Sequence, residues 1–109
     1  MPQDDHYLVV ATTTDSADGA RALAAGAVER RLAACAQIDG PLISVYRWRG
    51  AIETATEWRV SLKTTVARYP ELEAHLKAEH SYDEPEIIAT DVVAGSAGYL
   101  AWLRTETAP

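Results

Sequence analysis

A handful of side chains in this sequence have the chemistry to hold a ligand, and they are scattered rather than clustered. Cys35 is the only thiol. As a thiolate it is a soft donor suited to copper. A free cysteine is equally familiar as a small buried hydrophobe, and without a second cysteine the residues alone leave both readings open. His80 and Tyr82 stand shortly before Pro85, in a constrained loop that also carries Asp83 and Glu86. An imidazole there can ligate a metal or exchange a proton near neutral pH; it can also simply cap a helix and hydrogen-bond. His75 and His80 are five residues apart, so they do not share a helical face as an i, i+4 metal pair does. His6 lies close to the chain's start. Lys63 sits on the polar face of a strand and could meet His80, Tyr82, Asp83 or Glu86 in a cleft between subunits, where its charge suits an anion or a carboxylate. A solvated lysine paired to a neighbour is the commoner arrangement.

No phosphate-cradling glycine loop, no nucleophile elbow and no spaced Ser/His/Asp set is present in the sequence. We therefore expect no catalysis, although a site assembled across subunits leaves no local pattern.

The elements that must position these residues follow from spacing. Tyr7 to Thr14 is apolar and β-branched and reads as a first strand. Asp15 and Ser16 offer a helix N-cap, with Asp18 in the first turn. Ala20, Leu23, Ala24, Ala27, Val28 and Leu32 then recur at helical spacing, and the basic pair Arg30 and Arg31 falls near the helix end. Cys35 to Trp48 is extended, with a bulge or bend at Asp39-Gly40-Pro41. Arg49-Gly50 is a tight turn, and Ile52 to about Thr65 is a third strand. In it Trp58, Val60 and Leu62 alternate with Glu57, Arg59, Ser61 and Lys63, the period expected when one face is buried. Pro70 suits the first turn of a second helix whose Leu72 and Leu76 point inward, with Tyr69 extending that stripe. Ile87 to Val93 is a fourth strand. Gly95-Ser96 is a turn with a cap, and Tyr99, Leu100, Trp102 and Leu103 mark a C-terminal helix. The order β-α-β-β-α-β plus one helix is the α+β, ferredoxin-like pattern. We read residues 1–109 as a single domain with its core at about 7–104.

Composition narrows the partners. The net charge is −6, with 10 Lys and Arg against 16 Asp and Glu, which disfavours a phosphate backbone and an acidic membrane surface. A base-stacking module of this strand order would carry sheet aromatics in a basic motif; this chain has no Phe. The start, Met1 to His6, is polar and lacks the basic and apolar regions of a signal peptide. No apolar run is long enough to span a bilayer. With one unpaired thiol suited to a reducing compartment, the expected location is the cytoplasm.

The hairpin predicts assembly. Its strands would extend for about 46 Å at roughly 3.3 Å per residue, whereas a globule of this length is about 34 Å across. The overhanging end carries Tyr46, Trp48 and Ile52, which are costly to leave in water. A neighbour's sheet edge would cover them; strands bending back within the monomer are the alternative.

Several segments in order resemble the CutA family of divalent-cation tolerance proteins: Leu32-Ala33-Ala34-Cys35, Tyr46-Arg47-Trp48-Arg49-Gly50-Ala51-Ile52, Lys63-Thr64-Thr65, His80-Ser81-Tyr82-Asp83-Glu84-Pro85-Glu86-Ile87-Ile88 and Tyr99-Leu100-Ala101-Trp102-Leu103. The resemblance spans about residues 7 to 104. It implies a ferredoxin-like homotrimer whose long hairpins pair between subunits, similar to the PII signalling proteins, with Tyr46, Trp48 and Ile52 at the interface. It also implies a role in tolerance of copper or another divalent metal, with Cys35 and His80 as leading ligands and no organic cofactor. The alternative is a PII-like regulatory trimer holding a small anion between subunits at Lys63, His80, Tyr82, Asp83 and Glu86. The chain departs from the family pattern at Ser81 (usually proline), Asp83 (usually glutamate) and Glu84 (commonly apolar), which alters the geometry of whatever the loop binds.

Overall fold

A computed structural model describes residues 6–109; Met1 to Asp5, most of the segment read above as no signal peptide, lie outside the described residues. The elements are β1 (Tyr7–Thr14), α1 (Ala17–Glu29), β2 (Cys35–Trp48), β3 (Ala51–Thr65), α2 (Tyr69–Glu79), β4 (Ile88–Val92) and α3 (Ala97–Glu106). They form one antiparallel sheet in the order β2-β3-β1-β4, the ferredoxin-like arrangement expected from the sequence. No helix among the described residues is long and apolar enough to cross a membrane.

Local chemistry accounts for the boundaries. The Ser16 hydroxyl accepts from the Gly19 N–H at 2.9 Å and starts α1. Ser96 occupies the N-cap of α3, yet its hydroxyl makes no capping bond. The basic pair follows the end of α1, with Arg30 as its C-cap. Arg31 takes a left-handed backbone and sends its guanidinium to the carbonyls of Thr105 and Ala108, fastening the α1–β2 link to the end of α3. The fourth strand is one residue shorter at each end than expected.

One sheet face carries Leu8, Val10, Thr12, Val60, Leu62 and Thr64, and packs under α1 and α2 through Ala20, Leu23, Ala27, Leu72 and Leu76. That face is the core. The other face carries Tyr7, Thr13, Glu57 and Lys63. It is covered by α3 only at its Tyr7 end, where Arg104 donates to the Tyr7 hydroxyl at 2.8 Å.

A bulge redirects the hairpin. The β2–β3 register jumps from Asp39↔Arg59 to Leu42↔Glu57, so Gly40 and Pro41 together oppose Trp58. One extra residue reverses the phase of β2. Beyond it Leu42, Ser44, Tyr46 and Trp48 join the open face, while Ile43, Val45, Arg47 and Ile52 point the other way. The hairpin closes at Arg49 and Gly50, both at positive φ, and the molecule extends 45 Å by 25 Å by 22 Å.

His75, whose spacing from His80 excludes an i, i+4 metal pair, is buried between α2 and α1 with its ring against Gly26 and no hydrogen-bond partner for Nε2 among the described residues. Burial, then the charge of Arg30, push its pKa below the usual 6.5; Glu79 opposes them in part. The folded protein therefore favours the neutral ring, whereas the unfolded chain takes up a proton as pH falls past 6.5. Stability from this site is present above that pH and is lost on acidification. Urea unfolding between about pH 7.5 and about pH 5 should show the loss, and His75→Met should flatten that slope; an unchanged slope would contradict the assignment.

Candidate functional site

Where α2 stops, the chain turns across the open face of the sheet. His80 is the C-cap of α2, its N–H bonded to the Leu76 carbonyl at 3.0 Å, and its extended backbone leads the chain away. Its ring then pins the loop from both sides. Nδ1 accepts from the Tyr82 N–H at 3.0 Å, so Nε2 carries the proton and donates to the Thr13 carbonyl at 2.9 Å. The His80 and Tyr82 rings lie 4.9 Å apart, tilted by 44°. Held this way, Tyr82 donates its hydroxyl to Glu57 Oε2 at 2.8 Å.

Glu57 is the residue the alternating pattern missed. Its position in β3 reads as solvated face, yet it is only 7% exposed, because the loop from His80 folds over it. No local signal announces this: the covering residues are some 25 positions away in sequence. Burial first, and then the Glu57 bond and charge, raise the Tyr82 pKa. The phenol thus stays protonated and donating across the neutral range.

Between this loop and the hairpin lies an open groove of about 580 Å³, walled by Tyr46 and Trp48 on one side and Tyr82 on the other. Glu57, Asp83, Glu84 and Glu86 line it, with no Lys, Arg or His among the lining residues. The structure thus brings Tyr82, Asp83 and Glu86 together with Tyr46 and Trp48, and adds Glu57, Thr13 and Glu84. His80 supports the groove from behind.

Lys63 is elsewhere. Six residues along β3 from Glu57, it lies about 20 Å up the strand, with its ammonium 5.6 Å from the centre of the Tyr99 ring. Tyr99 in turn lies 5.4 Å from Trp102. Cys35, half-buried, is the cross-strand partner of Lys63. Thr13, where His80 is bonded, pairs with Arg59, four residues down β3 from Lys63. Cys35 and His80 are therefore about 13 Å apart along the strands alone, and within one chain they do not share an ion. Among the described residues, no three His, Cys, Asp or Glu side chains converge to hold a metal. Ile52 is exposed on the hairpin's other face.

The sequence profile described as CutA1 divalent ion tolerance protein matches residues 8–106. The chain belongs to the CutA family. The divalent-cation tolerance protein CutA of Thermus thermophilus is 42% identical over 99 residues, covering 91% of this chain and 96% of that one. The human protein CutA is 36% identical over 88 residues, 81% of this chain but 49% of its own length. Among solved structures, CutA1 from Oryza sativa superposes with a TM-score of 0.93 at 34% identity, covering 98% of both chains. Thermus thermophilus Cut A1 gives 0.92 at 41%, covering 94% of this chain and 99% of that one. Against this CutA background, Ser81 lies in the pinned turn, and Asp83 and Glu84 both face the groove.

Proposed function

We propose that the chain works as a cytoplasmic homotrimer that binds or responds to divalent metal ions, copper foremost. One observation supports the assembled state above others: the hairpin beyond the bulge leaves Ile43 76%, Val45 66% and Ile52 67% exposed, with Tyr46 and Trp48 about half exposed. Apolar surface of that kind is covered in a stable soluble protein. The outer strands β2 and β4 also leave open edges for a neighbour to pair with.

The metal half of the reading comes from relatives named for divalent-cation tolerance. We assign copper to Cys35 and His80 as soft and imidazole donors. Since one chain holds them apart, they act in different subunits or at separate sites. An ion taken by His80 would displace one of the two bonds that pin the loop, which couples metal to loop position.

A PII-like trimer holding a small anion is the second reading, favoured by Lys63 if a neighbour brings it across. The groove weighs against it, because four carboxylates repel an anion. Light scattering tests the assembly: three chains of 11.8 kDa give about 35 kDa, and a stable monomer at micromolar concentration would contradict it.

A further inference from the structure

At the end of β3 far from the hairpin turn lies a second, smaller cleft of about 300 Å³. It sits where the start of α2 meets the end of α3, lined by Arg68 and Arg104 with Thr65, Glu71 and Thr107. Two guanidiniums and one carboxylate make it cationic, in a chain whose net charge is −6. The groove beside the hairpin has the opposite makeup.

Each arginine is held by one bond and keeps donors over. Arg68 donates from Nη1 to Glu71 at 2.7 Å, and its side chain is only 12% exposed. Its Nε is buried with no hydrogen-bond partner among the described residues, a costly state for a charged group unless an anion or water relieves it. Arg104 donates from Nη1 to the Tyr7 hydroxyl at 2.8 Å, which leaves Nε and Nη2 for a further acceptor. The α3 wall is fixed from behind, because Arg31 holds the carbonyls of Thr105 and Ala108 at 3.0 and 3.2 Å. No side chain caps the first turn of α2, so the positive end of that helix adds to the field.

We propose that this cleft binds a phosphate group, carried by free phosphate or by a small phosphate monoester, with Arg68 and Arg104 as its donors. Planar forks of N–H groups match the oxygens of a phosphate. The volume is at the small end for ligand sites, which favours a compact ligand. Glu71 is the competitor for Arg68; its carboxylate is 65% exposed and gives way to solvent when phosphate enters. The site lies within one chain and depends neither on the assembly nor on a metal.

The test is calorimetric titration of the full chain with inorganic phosphate and, separately, with glycerol phosphate. It is run at constant ionic strength and about pH 7.5, where a phosphate group is largely dianionic. Saturable binding at one site per chain is expected, with a Kd of about 1 mM or tighter. Arg68→Gln and Arg104→Gln should each weaken it by about tenfold or more, the loss that goes with a hydrogen bond to a charged group. Glu71→Gln removes the competitor and should tighten binding by about threefold. Lys77→Gln removes an equal charge near the other end of α2 and should change binding by less than about twofold. Tighter binding of the monoester would support a ligand whose body fills the rest of the cleft; equal binding would support free phosphate. Circular dichroism checks the Arg68 variant, whose side chain is largely buried. Should it not fold, Arg104→Gln and Glu71→Gln carry the comparison, since both residues are exposed. No saturation up to about 20 mM phosphate, or equal affinity in all the variants, would overturn the proposal.

Discussion

Gly40→Val is expected to destabilise the fold by about 3 kcal/mol, the upper part of the range for overpacking. Gly40 lies against the Trp58 ring: a Cβ built there would be 2.7 Å from the ring's Cγ and 2.9 Å from its Nε1. These are ring atoms of a side chain packed against the core, so the indole has no free end to swing aside. Either Trp58 leaves its place or the bulge opens. Opening the bulge also shifts the phase of β2, which decides which side chains of the hairpin face the groove. Thermal unfolding should fall by roughly 12 °C or more for a domain of this size. Gly40→Ala should lose less, since it adds the same first carbon without the branch. A valine variant as stable as wild type would show that the ring is not held as described.

The second large effect belongs to Tyr82→Phe. It removes the only hydrogen-bond donor found on the buried Glu57 carboxylate among the described residues, and an ionised group left so costs about 2 kcal/mol. The ring itself is kept, so packing against His80 changes little. A double-mutant cycle with Glu57→Gln separates this from general loosening. Tyr82→Phe should cost clearly less in the Glu57→Gln background, where no charge is left stranded. Equal costs in both backgrounds, by urea unfolding, would mean that the pair contributes nothing specific.

Much of this architecture is legible in the sequence because it is local. Ser16 begins a helix, Pro70 sits in a first turn, Arg49-Gly50 closes a hairpin, and Asp39-Gly40-Pro41 interrupts a strand, each for reasons contained within a few residues. The site is less legible because it depends on contacts between distant segments. Glu57 keeps the polar phase of its strand and is buried only because Tyr82 crosses it. Lys63 and the loop from His80 to Glu86 are both polar and on the same sheet face, yet strand length separates them. The residues alone suggest a cleft between subunits holding Lys63, His80, Tyr82, Asp83 and Glu86; they do not reveal a groove within one chain that Tyr82, Asp83 and Glu86 share with the hairpin's own Tyr46 and Trp48. Which of these sit there follows from one extra residue at Gly40-Pro41, whose effect on strand phase appears only once the register with Arg59 and Glu57 is known.

The metal-responsive reading is tested most directly by a calorimetric copper titration of the purified protein beside a variant carrying both Cys35→Ser and His80→Ala. Submicromolar binding that the variant loses is the predicted result, and the two single variants then show which donor holds the ion. Weak binding, or binding equal in the two proteins, would contradict the assignment and make any metal tolerance an indirect effect of the assembly.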